Sequence, residues 1–599
     1  MKIRFVVVLC LIGLLGACKK SFLDKQPDES ITIEEAFKKR NYAEAFLTDA
    51  YASMGNELYF TDYLGTSPNP YVIASDELNI PWPEKFEKLM NKGAWNPYNV
   101  AGQHWKNMFE GIRKCNIFLK NIPITPLDAV FTQAQKNRWI GEARFLRAFY
   151  YFTLIRIYGG VPLVKEPVAL TDDFTRFKRN TWDECVDFIV KECDTAVTVL
   201  PIKLTDDRDI GRATAAAALA LKARLLLYTA SPLWNGNPDY RNVVDKDGVR
   251  LFTQQQDDNR WAVAAEAAKE CIDKCEAAGY ELFRKYPDPI KNYQQLFLEN
   301  HNTEVLFARN CGVDGVTEKC AFPGSKGGWN GYNPTQQMVD AYEMQDGKAP
   351  ITGYNTDGSP KIDPASGYVE AGFAVADDPE GRWLKGVRMM YTNREPRFYA
   401  SINFNGGYFI DRRLEIWYSG ADGQYRGGRD YNTTGYLLKK AVDPTVNISQ
   451  GKFSLKTWIF FRLAELYLDY AEALNEAQGP VNDVYVFVNK IRDRAGLPAL
   501  PGGLSKEAMR EKIRHERRIE LSFETHRYFD CHRWKIAAQT EGGPVYGMNI
   551  TTGTALNDES FYKRVVVETR VFQAPKHYLF PIPQSEIDKN PNLLQSPYW

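Results

Sequence analysis

The chain has 599 residues, with 75 Lys and Arg against 75 Asp and Glu. That balance excludes a general electrostatic pull towards nucleic acid, and the length allows a large core and more than one domain. Aromatic residues make up 13% of the chain, with 33 Tyr, 33 Phe and 13 Trp, enough for recognition surfaces as well as for a core.

Lys2 and Arg4 precede a short apolar run over residues 5–15, and Leu15, Gly16, Ala17 and Cys18 follow. A basic start, a short apolar segment, small residues and then a cysteine read as a lipoprotein signal peptide over residues 1–17, with Cys18 the lipidation site. The run is too short to span a bilayer, which takes about 20 apolar residues. Beyond residue 17 no apolar run is long enough to do so. Of the ten cysteines, eight remain after Cys10 and Cys18, and none forms a C-x-x-C pair. Cys271 and Cys275, four apart on an expected helix, read as small buried residues rather than half of a metal site. Cys311 and Cys320 flank a loop and could pair in an oxidising envelope.

The segment 31–58 mixes Glu, Lys and Ala with apolar residues at helical spacing, and 104–120 continues that pattern. Over 137–158, Ile140, Ala143, Leu146, Tyr150, Leu154 and Ile157 fall three or four apart, and Gly159 and Gly160 then stop the helix. Helices are expected over 182–200, 214–229 and 261–278, the second rich in Ala and suited to close helix contact. From about residue 286 to 453, Gly, Asn, Asp and aromatics dominate and convincing helices are scarce. Long irregular stretches of this kind usually carry function. Helices return at residue 456. Over 461–477, Leu463, Tyr467, Tyr470, Leu474 and Ala477 form a stripe expected to be buried, with an acid stripe of Glu465, Asp469, Glu472 and Glu476 opposite. Gly479 and Pro480 end that helix. Helices over 481–495, 505–523 and 526–538 follow, then a mixed, Pro-rich tail. These elements divide the chain into 18–235, a loop-rich 236–455 and a helical 456–599. Helix pairs with small residues at close contacts suit tetratricopeptide-like units, although no clean 34-residue period appears.

A series of blocks in order along nearly the whole chain resembles the SusD/RagB family of outer-membrane nutrient-binding lipoproteins. These are Cys18 with Phe22, Leu23 and Asp24; Trp105 to Asn116; EARFLRAFYYFTLIRIYGGVPLV at 142–164; GRATAAAALALKARLLLYTASPLWN at 211–235; PTQQMVDAYEMQDGK at 334–348; REPRFYA at 394–400; Arg462 to Asn475; Asn489 to Pro498; ERRIELSFETHRYFDCHRW at 516–534; and the tail 590–599. The resemblance implies a mostly α fold, with a tetratricopeptide-like scaffold of helix pairs beside a large irregular region. It implies oligosaccharide binding at the cell surface, or peptide binding in the RagB branch. It also implies a lipid-anchored outer-membrane location, a SusC-like TonB-dependent transporter as partner, and no enzymatic activity.

A sugar ring presents a face of C–H bonds and an edge of hydroxyls, so its site should pair Trp or Tyr with amide or charged neighbours. Three segments fit. Residues 79–99 offer Trp82, Trp95, Asn96, Tyr98 and Asn99. The GGWNGYNP loop at 327–334 offers Trp329 and Tyr332. Residues 417–436 offer Trp417, Tyr418, Tyr425, Arg429 and Asp430. Trp95 and Trp329 lead these candidates, against the reading that each Trp is a core residue. Arg144, Arg147, Arg156, Arg514, Arg517, Arg518 and Arg527 are expected to pair with acids rather than to bind ligand. A glycoside hydrolase would need two carboxylates across a cleft, and an acid stripe on one helix face does not supply that. No His-Glu-x-x-His, Gly-x-Ser-x-Gly or phosphate loop occurs. An EF-hand at 355–358 fails, because Gly353 and Pro364 occupy its end ligand positions. No cofactor is expected, while a structural calcium site built from scattered oxygens stays open. The second reading is a structural adaptor of tetratricopeptide-like helices.

Overall fold

The computed structural model describes residues 31–55, 57, 60, 69–100, 103–169, 171–424 and 428–599. The signal peptide, Cys18 and Tyr425 lie outside the described residues. The principal helices are α1 (Ile33–Phe37), α2 (Arg40–Ala52), α3 (Gln103–Asn121), α4 (Gln133–Tyr158), α5 (Trp182–Val197), α6 (Ala215–Ala230) and α7 (Asn259–Ala277). After a loop-rich stretch come α8 (Leu463–Gln478), α9 (Asn482–Arg494), α10 (Lys506–Glu520) and α11 (His526–Arg533). Each packs on the next in a continuous file: α2 on α3, α3 on α4, and so on to α7 on α8, which also meets α9 and α10. The fold is therefore mostly α, a tetratricopeptide-like run of helix pairs.

Local chemistry sets the helix ends. Thr132 caps α4 by accepting from the Gln135 amide, and Gly159, at φ 78°, stops it. Thr214 caps α6 through the Ala217 amide. Its alanines let α7 approach closely enough for Cys271 Sγ to lie 4.0 Å from the Ala216 carbonyl oxygen. Cys271 and Cys275 are buried with their sulfurs 4.0 Å apart, as packing residues would be. Cys311 and Cys320 are not bonded to each other. Cys311 Sγ lies on the Arg309 carbonyl at 3.6 Å and Cys320 is buried under a loop, so the pairing left open from sequence does not form.

Two sequence expectations change. The segment 31–58 is not one helix, because Lys39, at φ −120°, is extended and separates α1 from α2. Residues 454–462 are a strand. Here β6 (Ser454–Arg462) pairs antiparallel with β2 (Val305–Asp314), from Ser454 opposite Asp314 to Arg462 opposite Val305. Lys456, Trp458 and Phe460 are buried on alternate positions, the period of two that defines a strand face. The aromatic run then continues into α8 without a break, which disguised the change of period.

Of the acid stripe of α8, Glu465, Asp469 and Glu472 are buried and Glu476 is half-buried. Glu465 accepts from Arg224 Nε and Nη2, Glu472 from both Nη groups of Arg533, and Asp469 pairs with Arg517. The helix runs inside the file, so both faces are covered and acids survive there only with partners. The arginines singled out from sequence pair as expected: Arg144 and Arg147 with Glu192, Arg156 with Glu57, Arg514 with Glu511, Arg517 with Asp530, and Arg518 and Arg527 with Asp76. A second buried cluster ties the loop-rich region to the scaffold. Arg462 Nη1 donates to Glu304 at 2.8 Å and to Glu520 at 2.7 Å, and Arg397 Nη1 reaches Glu520 at 3.0 Å.

Candidate functional site

The loop-rich region is fixed to the scaffold by short strand pairs. In one, β1 (Leu78–Asn79) lies antiparallel to β3 (Asn333–Pro334), with Leu78 opposite Pro334 and Asn79 opposite Asn333. The Asn333 side chain then binds the third segment. Its Nδ2 donates to the Tyr436 carbonyl at 3.1 Å and its Oδ1 accepts from the Thr433 amide at 2.9 Å. One buried asparagine thus brings together the three segments that sequence nominated separately.

The GGWNGYNP loop doubles back on the short helix Val316–Ala321. The Trp329 amide donates to the Lys319 carbonyl at 2.6 Å, and the amides of Gly331 and Tyr332 donate to the Cys320 carbonyl at 2.7 and 2.9 Å. Two glycines are required by close approach. A Cβ on Gly328 would stand 2.1 Å from the Phe322 carbonyl oxygen, and one on Gly331 would stand 2.1 Å from Cη2 of Trp82. The loop is therefore moulded onto the Trp82 ring. Beneath it, burial pushes the Cys320 thiol up to about 12, making it a wall rather than a nucleophile.

At the surface of this junction Trp329 is half-buried and meets Trp82 edge-on, with ring centroids 6.2 Å apart and planes at 88°. The Trp82 indole nitrogen donates to Asp430 Oδ1 at 2.8 Å. Arg429, exposed beside Asp430, forms an ion pair with Glu84. In the same loop as Trp329, Lys326 pairs with Asp411 at 2.5 Å, at the tip of the hairpin formed by β4 (Tyr408–Phe409) and β5 (Arg412–Arg413), where Tyr408 is exposed. The buried carboxylate of Asp422 locks the adjoining loop by accepting from the Ser325 and Glu415 amides, each at 3.1 Å. An aromatic pair with charged groups of both signs on loops held by buried hydrogen bonds can stack on an apolar ligand face and bond to hydroxyls.

The remaining candidates go elsewhere. Trp95 is 3% exposed and is enclosed by Phe580, Trp599 and His577, with centroids at 4.4, 4.7 and 5.5 Å. No ring face is left for a ligand, so this leading candidate is a core residue. Tyr332 is fully buried against Phe60, whose amide donates to its hydroxyl at 3.2 Å, and is likewise structural. Trp82 is itself buried and acts as the backing of Trp329. Asn96 accepts from the Tyr98 amide and donates from its own amide to Asn99 Oδ1. That closes a turn which leaves Tyr98 84% exposed. Among the described residues no ring contact joins Tyr98 to Trp82. Trp417 is half-buried with its Cβ against Gly553, and the amide of the exposed Tyr418 donates to the Thr552 carbonyl at 2.8 Å. These two lean on another wall. Glu84, Lys326, Asp411 and Tyr408 were not nominated from sequence; only the Gly-rich, aromatic NFNGGYF segment at 403–409 hinted at the last.

Among the described residues no group of three His, Cys, Asp or Glu is placed to hold a metal ion, and no helix is long and apolar enough to cross a membrane. The family model described as the SusD family matches residues 293–599, more than half of the sequence. The chain belongs to the SusD family. A second model, described as starch-binding associating with outer membrane, matches residues 21–227 of this SusD-family chain. A SusD-like protein of Bacteroides ovatus is 24% identical over 640 residues, covering 100% of this chain and 98% of its own length. The solved structure of a SusD-like protein from Bacteroides fragilis is 26% identical, with a TM-score of 0.74, covering 96% of this chain and 100% of that one. A laminarin-binding SusD-like protein is 18% identical with a TM-score of 0.57, covering 94% and 100%, and shares the fold.

Proposed function

We propose that this SusD-family chain is a non-enzymatic, surface glycan-binding lipoprotein, anchored through Cys18 to the outer membrane. It passes oligosaccharide to a SusC-like TonB-dependent transporter. The observation that carries the reading is the junction of three distant segments at Trp329, Trp82 and Asp430. A pyranose C–H face stacks on the half-buried Trp329 ring, which Trp82 and Asp430 hold in place. Sugar hydroxyls bond to the exposed Asp430 carboxylate and Arg429 guanidinium. The laminarin-binding neighbour supports a polysaccharide as the class of ligand. Stacking plus a few charge-assisted hydrogen bonds gives modest affinity per site, suited to capture and release.

Native electrophoresis through gels containing individual polysaccharides tests this. The wild type is retarded by at least one polymer, Trp329→Ala is retarded less by it, and no reducing ends appear. Release of reducing ends, or retardation by no polysaccharide while a transporter still co-purifies, overturns it in favour of an enzyme or of a peptide-binding or adaptor protein. Cys18→Ala yields a folded, ligand-competent protein in the soluble fraction. Persistence of that variant on membranes lacking transporter contradicts the anchor.

A further inference from the structure

A separate cleft of about 350 Å³ lies at the other end of the β1–β3 ribbon, within the size range of ligand pockets. Asp76, which lines the cleft, and Trp82, which backs Trp329, are six residues apart, so their Cα atoms are at most about 20 Å from each other. Thr335 ties the ribbon end to the cleft: its amide donates to the Glu77 carbonyl at 2.9 Å and its hydroxyl to the Asp76 carbonyl at 2.5 Å.

The wall chemistry of the cleft is unbalanced. Arg518, Arg527 and Arg570 line it, and Asp76 is its one lining acid among the described residues. Arg527 holds Asp76 through Nε at 2.8 Å and Nη2 at 3.0 Å, and Arg518 Nη2 reaches the same carboxylate at 2.8 Å. Arg570 donates to the Leu78 carbonyl at 2.8 Å and to Glu568 at 3.0 Å, but Glu568 also serves Lys88 at 2.8 Å. Four cations thus share two carboxylates. Glu77, beside Asp76, is pushed up to about 8 chiefly by burial, so it adds no negative charge at neutral pH. Arg518 Nε has no hydrogen-bond partner among the described residues. The cleft is also lined by Tyr354 and Tyr546, whose rings stack at 5.5 Å and 29°. Cationic donors and rings lining one cleft suit an anionic group carried on a sugar ring.

We infer that this arginine-lined cleft is a second glycan subsite, selective for a saccharide bearing a carboxylate or sulfate ester, with Arg518 its principal recognition group. The inference rests on the glycan reading above and narrows it to acidic polymers. Calorimetric titration of the full chain with an oligogalacturonate, a sulfated galacto-oligosaccharide and a neutral gluco-oligosaccharide of equal length tests it. At least one anionic probe binds about tenfold or more tightly than the neutral one, and its affinity falls as salt rises from roughly 50 to 500 mM. Which anionic probe binds identifies the source of the charge. Arg518→Gln loses that preference and leaves neutral binding unchanged. Thr540→Glu, which adds a negative charge at the rim while keeping every arginine pair, does the same and guards against a folding defect in the first variant. Equal affinity for neutral and anionic probes, or an anionic preference that survives in both variants, overturns the inference while leaving the Trp329 site standing. Binding of no probe by the wild type overturns the inference, and overturns the glycan reading too when no polysaccharide retards the protein in gels.

Discussion

At the residue scale, tryptophans of similar sequence context have opposite roles. Trp329 is half-buried at a junction of loops, whereas Trp95 is enclosed by three rings. Trp329→Ala should weaken glycan binding by about 1–2 kcal/mol, roughly five- to thirtyfold, with little change in melting temperature. Trp95→Ala should cost about 3–5 kcal/mol of stability through the cavity it leaves, with unchanged affinity in the protein that stays folded; calorimetry and thermal melts separate the two. Arg462 illustrates the buried charges. It bonds to Glu304, Glu520 and Glu524 at 2.7–2.8 Å, so Arg462→Ala removes the cation that these three acids share, leaving them only Arg494, Arg397 and Lys440, and should cost about 3–5 kcal/mol in denaturant titration. A loss below 1 kcal/mol would show that water screens the cluster.

At the scale of elements, the GGWNGYNP loop shows how backbone space fixes a side chain. Gly331→Ala sets a Cβ against the Trp82 ring and should cost about 1–3 kcal/mol by overpacking while displacing the backing of Trp329 and weakening ligand binding. Gly502→Ala, with nothing within 4 Å, is the control and should be neutral in both assays. The helices were legible because their stripes and stops are local: Ile140 to Ile157, then Gly159. The β2–β6 pair was not, because its partners lie 140 to 157 residues apart and Phe460 and Phe461 run straight into α8. The partners of the α8 acids were not legible for a related reason. Glu465, Asp469 and Glu472 look like a solvated face until Arg224, Arg517 and Arg533 arrive from other helices. The three site segments were each visible as aromatic, Gly-rich stretches. That Trp82 and Trp329 would meet, and Trp95 would not join them, depends on Asn333 and on Phe580 and Trp599, which no local pattern reveals.

At the scale of the whole molecule, a network of buried ion pairs couples the helical file to the loop-rich region, and it gives stability a defined pH dependence. Burial raises Glu472, but Arg533 and Arg517 overcome this and hold it at about 2, below its ordinary 4.5. A depressed carboxylate stabilises above its unfolded pKa, and that contribution is lost as pH falls from about 4.5 towards 2. Glu343 and Glu77 are pushed up to about 7 and about 8, mainly by burial. Their contribution is fully present below about 4.5 and is lost as pH rises through 7 and 8. Urea midpoints should therefore peak near pH 5 and fall on both sides, with Glu472→Gln flattening the acid limb. A maximum above pH 8 would contradict this assignment. The same rigid network is what allows loops from three parts of the chain to hold one binding face. The most direct measurement of that claim is a structure determined with a bound oligosaccharide. The account places a sugar ring on Trp329, with hydroxyls in hydrogen-bond range of Asp430 or Arg429. A ligand bound elsewhere, with the Trp329 ring uncovered, would contradict it.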